Sequence, residues 1–187
     1  MANLLQTLDA QAVLSANAFT TSNHIARVVV YGIAELLIFL FPLILYLLWK
    51  MPELRGRNHA ARKAVVIALI TTMVAIIAKA AISIVYLRPR PFVTHPELQY
   101  FHVGIDPQSF PSGNTMVSFA IATSLYLSGF PKVGGLLLVC SSLIAAARVF
   151  AGVHYPTDVL GGAVIGVGLA FYMHREASTL RKYLPNT

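Results

Sequence analysis

Apolar runs long enough to cross about 30 Å of hydrocarbon recur along this chain, and they constrain its fold more than any other feature. Inside a bilayer each backbone N–H and C=O must find its partner within the protein, so such runs read as membrane-spanning helices. Of 187 residues, 57% are hydrophobic and only 11% are charged, which is too few charges for a soluble domain. The length allows one domain, residues 1–187. The expected fold is all-α: a polytopic membrane helix bundle of about five transmembrane helices, preceded by an interfacial helix.

The spans are expected at residues 27–49, 64–87, 112–127, 133–150 and 158–172. Residues 3–19 are too short and too polar to span. Leu4, Leu5, Leu8, Val13 and Leu14 alternate there with Gln6, Asp9 and Gln11, which suits a helix lying in the interface. Thr21-Ser22-Asn23 offers a helix start, and Pro42 a kink in the first span. Glu35 and Lys79 fall inside spans, where a lone charge is costly. Counted from Arg27 and Arg90 at 1.5 Å per residue, they lie about 12 and about 16 Å deep. They are therefore expected to pair.

Alternation puts the loop after the first span, the turn at residues 129–132 and the tail on one side. Lys50, Arg55, Arg57, Arg62, Lys63, Lys132, Arg175, Arg181 and Lys182 all lie there, and the positive-inside rule makes that side cytoplasmic. The N-terminus, residues 88–111 and residues 147–158 then face outward. The net charge of +7 sits in these loops and is no sign of a nucleic-acid partner; the expected partners are membrane lipids. A single cysteine, Cys140, excludes an intrachain disulfide. The N-terminus lacks the pattern of a cleaved signal peptide, so the first span is expected to direct insertion.

Polar chemistry gathers in three stretches on the outward side. Arg88-Pro89-Arg90-Pro91-Phe92 follows the second span; its prolines fix the backbone and hold both guanidinium groups, although arginines at a helix end also snorkel to headgroups. Phe110-Pro111-Ser112-Gly113-Asn114-Thr115 opens the third. There Gly113 permits close backbone approach and the helix N-terminus attracts an anion; a plain N-cap by Ser112 is the structural alternative. Between the last two spans stand Arg148, His154 and Asp158. Neutral His is a competent nucleophile near pH 7. Asp158, four residues on, is placed to fix the imidazole tautomer, and Arg148 offers a permanent phosphate-matching charge. A structural Arg–Asp pair with a bystander His is the alternative for that segment taken alone.

In order and spacing these stretches resemble the signature of the type-2 phosphatidic acid phosphatase superfamily: K-x6-R-P, then P-S-G-H, then S-R-x5-H-x3-D. Arg90-Pro91 matches the end of the first motif, Pro111-Ser112-Gly113 the second, and Arg148, His154 and Asp158 the third. The resemblance covers about residues 60–172 and is specific. It departs at three positions. Ser83 stands where the first-motif Lys belongs, with Lys79 one turn earlier on the same helix face and able to reach up. Ala147 replaces the third-motif Ser. Asn114 replaces the second-motif His, which in the family protonates the leaving group. An amide cannot donate a proton and recover it at neutral pH. Asn114 marks either a weakened or inactive member or a deliberate His→Asn substitution made to trap a substrate complex.

The resemblance implies that His154 attacks phosphorus and forms a phosphohistidine, and that Asp158 orients it. It also implies that Arg90 and Arg148, with the N–H groups of Ser112 and Gly113, hold the phosphoryl oxygens, with Arg88 and Lys79 as further cations. Charge stabilisation of this kind is most of what phosphoryl transfer requires. No metal or other cofactor is implied, since no carboxylate cluster suits Mg²⁺. The substrate is expected to be a lipid phosphate met at the outer face of a bacterial plasma membrane. The overall likeness is greatest to bacterial undecaprenyl-diphosphate phosphatases, with phosphatidylglycerophosphate or phosphatidate phosphatases next. Residues 92–110, with His95, His102 and Asp106, are expected to shape headgroup choice. Two other classes fit parts of the sequence: a lipid-phosphate binding protein without turnover, and a small channel or permease built around Glu35 and Lys79.

Overall fold

The computed structural model describes residues 2–50, 58–100 and 108–183. Helix α1 covers Ala2–Ser22 and α2 His24–Leu36. A 3₁₀ turn follows at Leu37–Phe39, then α3 at Leu40–Lys50 and α4 at Asn58–Val85. The short α5 is Pro91–Thr94. Then come α6 at Gly113–Leu127, α7 at Pro131–Phe150 and α8 at Pro156–Tyr183. No strand occurs among the described residues, only an isolated bridge between Pro89 and Gln108.

Local sequence explains the boundaries. Asn23 caps α2, its side-chain oxygen accepting from the N–H of Ile25 at 2.8 Å and Ala26 at 3.3 Å. The first span breaks into a 3₁₀ turn at Leu37–Phe39. Pro42 accounts for this: it has no N–H for the carbonyl of Ile38, and its ring crowds that carbonyl. Gly129, at φ 91, makes the turn into α7, which starts on Pro131.

Among the described residues, four segments are long and apolar enough to cross a membrane: His24–Lys50, His59–Val85, Pro131–Phe150 and Pro156–Ser178. The fifth expected span, α6, has only 15 residues. It lies among α4, α7 and α8 and is buried on nearly every side, from Thr115 and Met116 through Ala120–Leu125. A helix sheathed by protein in this way need not match the bilayer. Its approach to α8 depends on two glycines. A Cβ on Gly162 would stand 2.8 Å from the Ser112 carbonyl oxygen, and one on Gly166 2.3 Å from that of Met116. The two helix N-termini are thereby drawn together. At the other end of α6 a cavity of about 660 Å³ opens among Lys63, Ile67, Leu127, Ser128 and His174.

The N-terminal helix is amphipathic in the opposite sense to a helix floating on water. Asp9, Val13, Asn17 and Thr20 form its buried stripe, while Leu4, Leu5, Leu8 and Phe19 are exposed. The Asn17 amide nitrogen donates to the carbonyls of Gln99 at 2.8 Å and Phe150 at 3.3 Å. Asp9 meets the start of α8. Both contacts lie at the end of the bundle where α7 stops and α8 begins, so α1 lies across that end.

Candidate active site

Chain geometry collects the polar stretches at that same end. Residues 88–90 run beside residues 108–109, with the Ser109 N–H on the Arg88 carbonyl at 2.8 Å. Arg90 is the extended N-cap of α5 and Pro91 its first residue, which fixes where the guanidinium leaves the backbone. The Phe110–Pro111 peptide is cis. The Ser83 hydroxyl, at the position of the missing motif Lys, donates to the Phe110 carbonyl at 3.4 Å.

His154 is 2% exposed and Asp158 fully buried. The carboxylate does not reach the imidazole directly: Asp158 Oδ2 lies 3.7 Å from His154 Nδ1. Between them stands Ser109, which motif reading passed over. Its hydroxyl donates to Asp158 Oδ2 in a short hydrogen bond and lies 3.4 Å from Nδ1. A serine has one proton. With that proton on the carboxylate, the hydroxyl oxygen accepts from Nδ1–H, and Nε2 keeps its lone pair. Nε2 faces Arg90, whose Nη1 lies 3.4 Å away. Burial, first, and then Arg148 and Arg90 push the His154 pKa down to about 4, against the hydrogen-bonded Asp158. The ring is therefore neutral at pH 7.

Arg88 and Arg148 sit differently from expectation. Arg88 was expected among the phosphate-binding cations. Its guanidinium instead bridges two carboxylates, Nη1 to Asp158 Oδ1 and Nη2 to Asp9 Oδ2, each at 2.6 Å. It also lies 4.2 Å above the Tyr155 ring, and so belongs to the Nδ1 side of the histidine. Burial opposes its charge, but the hydrogen bond to Asp9 and the nearby Asp158 outweigh that and raise its pKa. Arg148 meets Glu35 at 2.6 Å and the Ala34 carbonyl at 3.3 Å. Glu35 is thus engaged by Arg148 of α7, a partner that the depth argument did not name. Arg148 Nε remains buried with no hydrogen-bond partner among the described residues.

The start of α6 is partly as expected. Ser112 occupies the N-cap position, but its side chain caps no backbone N–H. Its hydroxyl accepts from Thr115 Oγ1 at 3.0 Å, and its own N–H is committed to the Asp158 carbonyl at 3.1 Å. The Ser112 N–H is therefore not open to a phosphate, and Gly113 onward supplies the uncapped turn. A Cβ on Gly113 would meet only the Cε of Lys79, at 4.0 Å, so Lys79 does rise beside this helix start. Asn114, half-buried, is the second residue of α6. His95 is near Glu97, 3.4 Å from Nδ1 to Oε1; His102 and Asp106 lie outside the described residues.

The arrangement is a buried neutral imidazole, held from behind by a hydroxyl and a carboxylate, with its free nitrogen toward an arginine and an uncapped helix start. That is the equipment for nucleophilic attack on a phosphoryl group. Residues 63–182 match the PAP2 superfamily. The chain belongs to that family. Among PAP2 relatives, the undecaprenyl-diphosphatase BcrC of Bacillus subtilis is 30% identical over 162 residues, covering 87% of this chain and 80% of its own length. A protein of Bacillus licheniformis named bacitracin transport permease protein BcrC is 32% identical over 152 residues, 81% of this chain and 72% of that one. In solved structures, the PAP2-type phosphatidylglycerolphosphate phosphatase of Bacillus subtilis superposes with a TM-score of 0.69 at 25% identity, covering 95% of this chain and 88% of its own. This PAP2 protein is accordingly a membrane-embedded lipid phosphatase by family.

Proposed function

We propose that the protein hydrolyses a polyprenyl diphosphate of the undecaprenyl type through a phosphohistidine on His154. The observation that carries this reading is the orientation of His154, with Nδ1 backed by Ser109 and Asp158 and Nε2 facing Arg90. Nε2 attacks the terminal phosphorus, the bond to the bridging oxygen breaks, and the lipid monophosphate leaves. Arg90, Arg148 through its uncommitted Nε, and the first turn of α6 hold the phosphoryl oxygens, with Lys79 beside Gly113 as a further cation. Water then takes the phosphoryl group from His154. The leaving oxygen needs a proton, which Asn114 cannot supply, so the protonation step is impaired in this chain. The basic loops favour an orientation with the site on the outer face and the C-terminus in the cytoplasm.

The diphosphate preference rests on the curated relative of Bacillus subtilis. A phosphatidylglycerophosphate or phosphatidate phosphatase is the reading favoured by the structural neighbour. A lipid-phosphate binder without turnover is the reading favoured by Asn114. A permease role draws on the second relative's name, but the polar groups gather at one end of the bundle and do not line a path across it. Phosphate release from a panel of lipid phosphates, by this chain and by Asn114→His, decides among them. Release fastest from the polyprenyl diphosphate supports the proposal. Binding without release by either form establishes the binder.

A further inference from the structure

Helix α1 lies outside the residues that match the family, yet its buried stripe reaches the histidine's support. Asp9 is 5% exposed. Its Oδ2 accepts from Arg88 Nη2 at 2.6 Å and from the Thr157 hydroxyl, and its Oδ1 accepts from the Thr157 N–H at 3.2 Å. Arg88 Nη1 in turn donates to Thr157 Oγ1 at 2.7 Å and Asp158 Oδ1 at 2.6 Å. Asp158 Oδ2 holds Ser109, and Ser109 faces His154 Nδ1. The result is an unbroken line of carboxylate, guanidinium, carboxylate, hydroxyl and imidazole running from α1 to the nucleophile.

We propose that Asp9 is a positioning residue for the reaction: by sharing Arg88 with Asp158 it sets the charge and the placement of the carboxylate behind His154, so that α1 is part of the reacting unit. This rests on the reading of His154 as nucleophile. The reasoning is electrostatic. While Asp9 holds one arm of Arg88, Asp158 keeps charge with which to stabilise the imidazole as it becomes positive on binding phosphorus. With Asp9 neutral, Arg88 draws on Asp158 alone, and that stabilisation weakens. Asp9 lies on the Nδ1 side of the ring, and Arg90 on the Nε2 side. Its loss should therefore act on the chemical step and leave substrate affinity nearly unchanged. The competing role is simple anchoring of α1, which Asn17 also performs through Gln99 and Phe150.

The test uses the full-length chain carrying Asn114→His, reconstituted in phospholipid vesicles with a polyprenyl diphosphate. Asp9→Asn should lower kcat by about tenfold or more, the effect of one charged hydrogen bond, with KM little changed. Asp9→Glu should recover part of the loss. Asn17→Ala loosens α1 without touching the line of charges, and should lower thermal stability while sparing kcat. A second readout needs no turnover: the ¹⁵N shift of His154 Nδ1 at neutral pH, assigned through His154→Gln, should move toward that of free imidazole in Asp9→Asn. An unmoved shift, an unchanged kcat, or an equal loss of kcat in Asn17→Ala would each overturn the proposal. If the parent shows neither release nor a phosphohistidine, the nucleophile reading fails on its own, and the Nδ1 shift still decides whether Asp9 acts on His154.

Discussion

Glu35 on α2 and Arg148 on α7 meet at 2.6 Å although 113 positions separate them in the chain. The pair joins the first span to the helix that carries the third-motif arginine. It also leaves Arg148 Nη1 occupied while Nε stays without a partner among the described residues, so one guanidinium has a structural arm and an uncommitted one.

Removing one partner of a buried ion pair leaves the other charge uncompensated, at about 3–5 kcal/mol. Glu35 keeps 21% of its side chain exposed and Arg148 3%, so Glu35→Ala should fall near the low end, about 3 kcal/mol. Because the site also becomes more positive, inorganic phosphate should bind somewhat more tightly. Thermal melts with and without phosphate check both directions.

Ser109→Ala should slow turnover by about 10- to 100-fold, the range set by one hydrogen bond to a charged group. KM should change little, since Ser109 lies behind the ring. Steady-state kinetics in the Asn114→His form provide the check. An equal rise in KM would mean that Ser109 shapes the phosphate pocket instead.

Asn114→His should raise lipid-phosphate hydrolysis by at least about 100-fold, a typical contribution of a general acid. Adding His154→Ala to that form should abolish release, because it removes the proposed nucleophile and leaves at position 114 a group suited only to protonating the leaving oxygen. Equal rates for the parent chain and for Asn114→His, on a lipid phosphate that is turned over, would show that the leaving group needs no acid from this position.

The depressed His154 pKa sets a pH window. Between about 6.5, the ordinary value, and about 4, its value in the fold, the unfolded chain takes up a proton that the folded chain does not. Stability should be lost progressively as pH falls through that interval, and the contribution of this group should be level above it. His154 itself should stay neutral, so the acid limb of kcat/KM assigned to it should lie near 4. Melting temperatures across roughly pH 4–7, with His154→Gln flattening the slope, test the sign.

Position along the chain was legible in the sequence; direction around a helix was less so. The third-motif spacing located His154 and Asp158, and proline and glycine located the turns. Depth located Glu35 but carries no azimuth, so its Arg148 partner on α7 could not be read from the sequence. Asp9 was visible only as a polar residue of an interfacial helix; periodicity identifies a polar stripe without saying whether water or protein faces it. Ser109 sits two residues before the Pro-Ser-Gly stretch with no spacing signal of its own, and only the pairing of residues 88–90 with 108–109 brings it to Asp158. The expected fifth span was found as a helix of 15 residues, shorter than the roughly 20 that a helix facing lipid needs, because its surroundings are protein.

That short helix has an electrical consequence. At 1.5 Å per residue, the 15 residues of α6 extend about 22 Å, against about 30 Å of hydrocarbon. Beyond Leu127 opens the cavity of about 660 Å³, bordered by Lys63, Ser128 and His174 among apolar residues such as Ala60, Ala64 and Ile67. Where water enters that cavity, a voltage across the membrane falls over the length of α6 rather than the whole bilayer, in a field about a third steeper. The uncapped turn at Gly113 stands at the end of that drop.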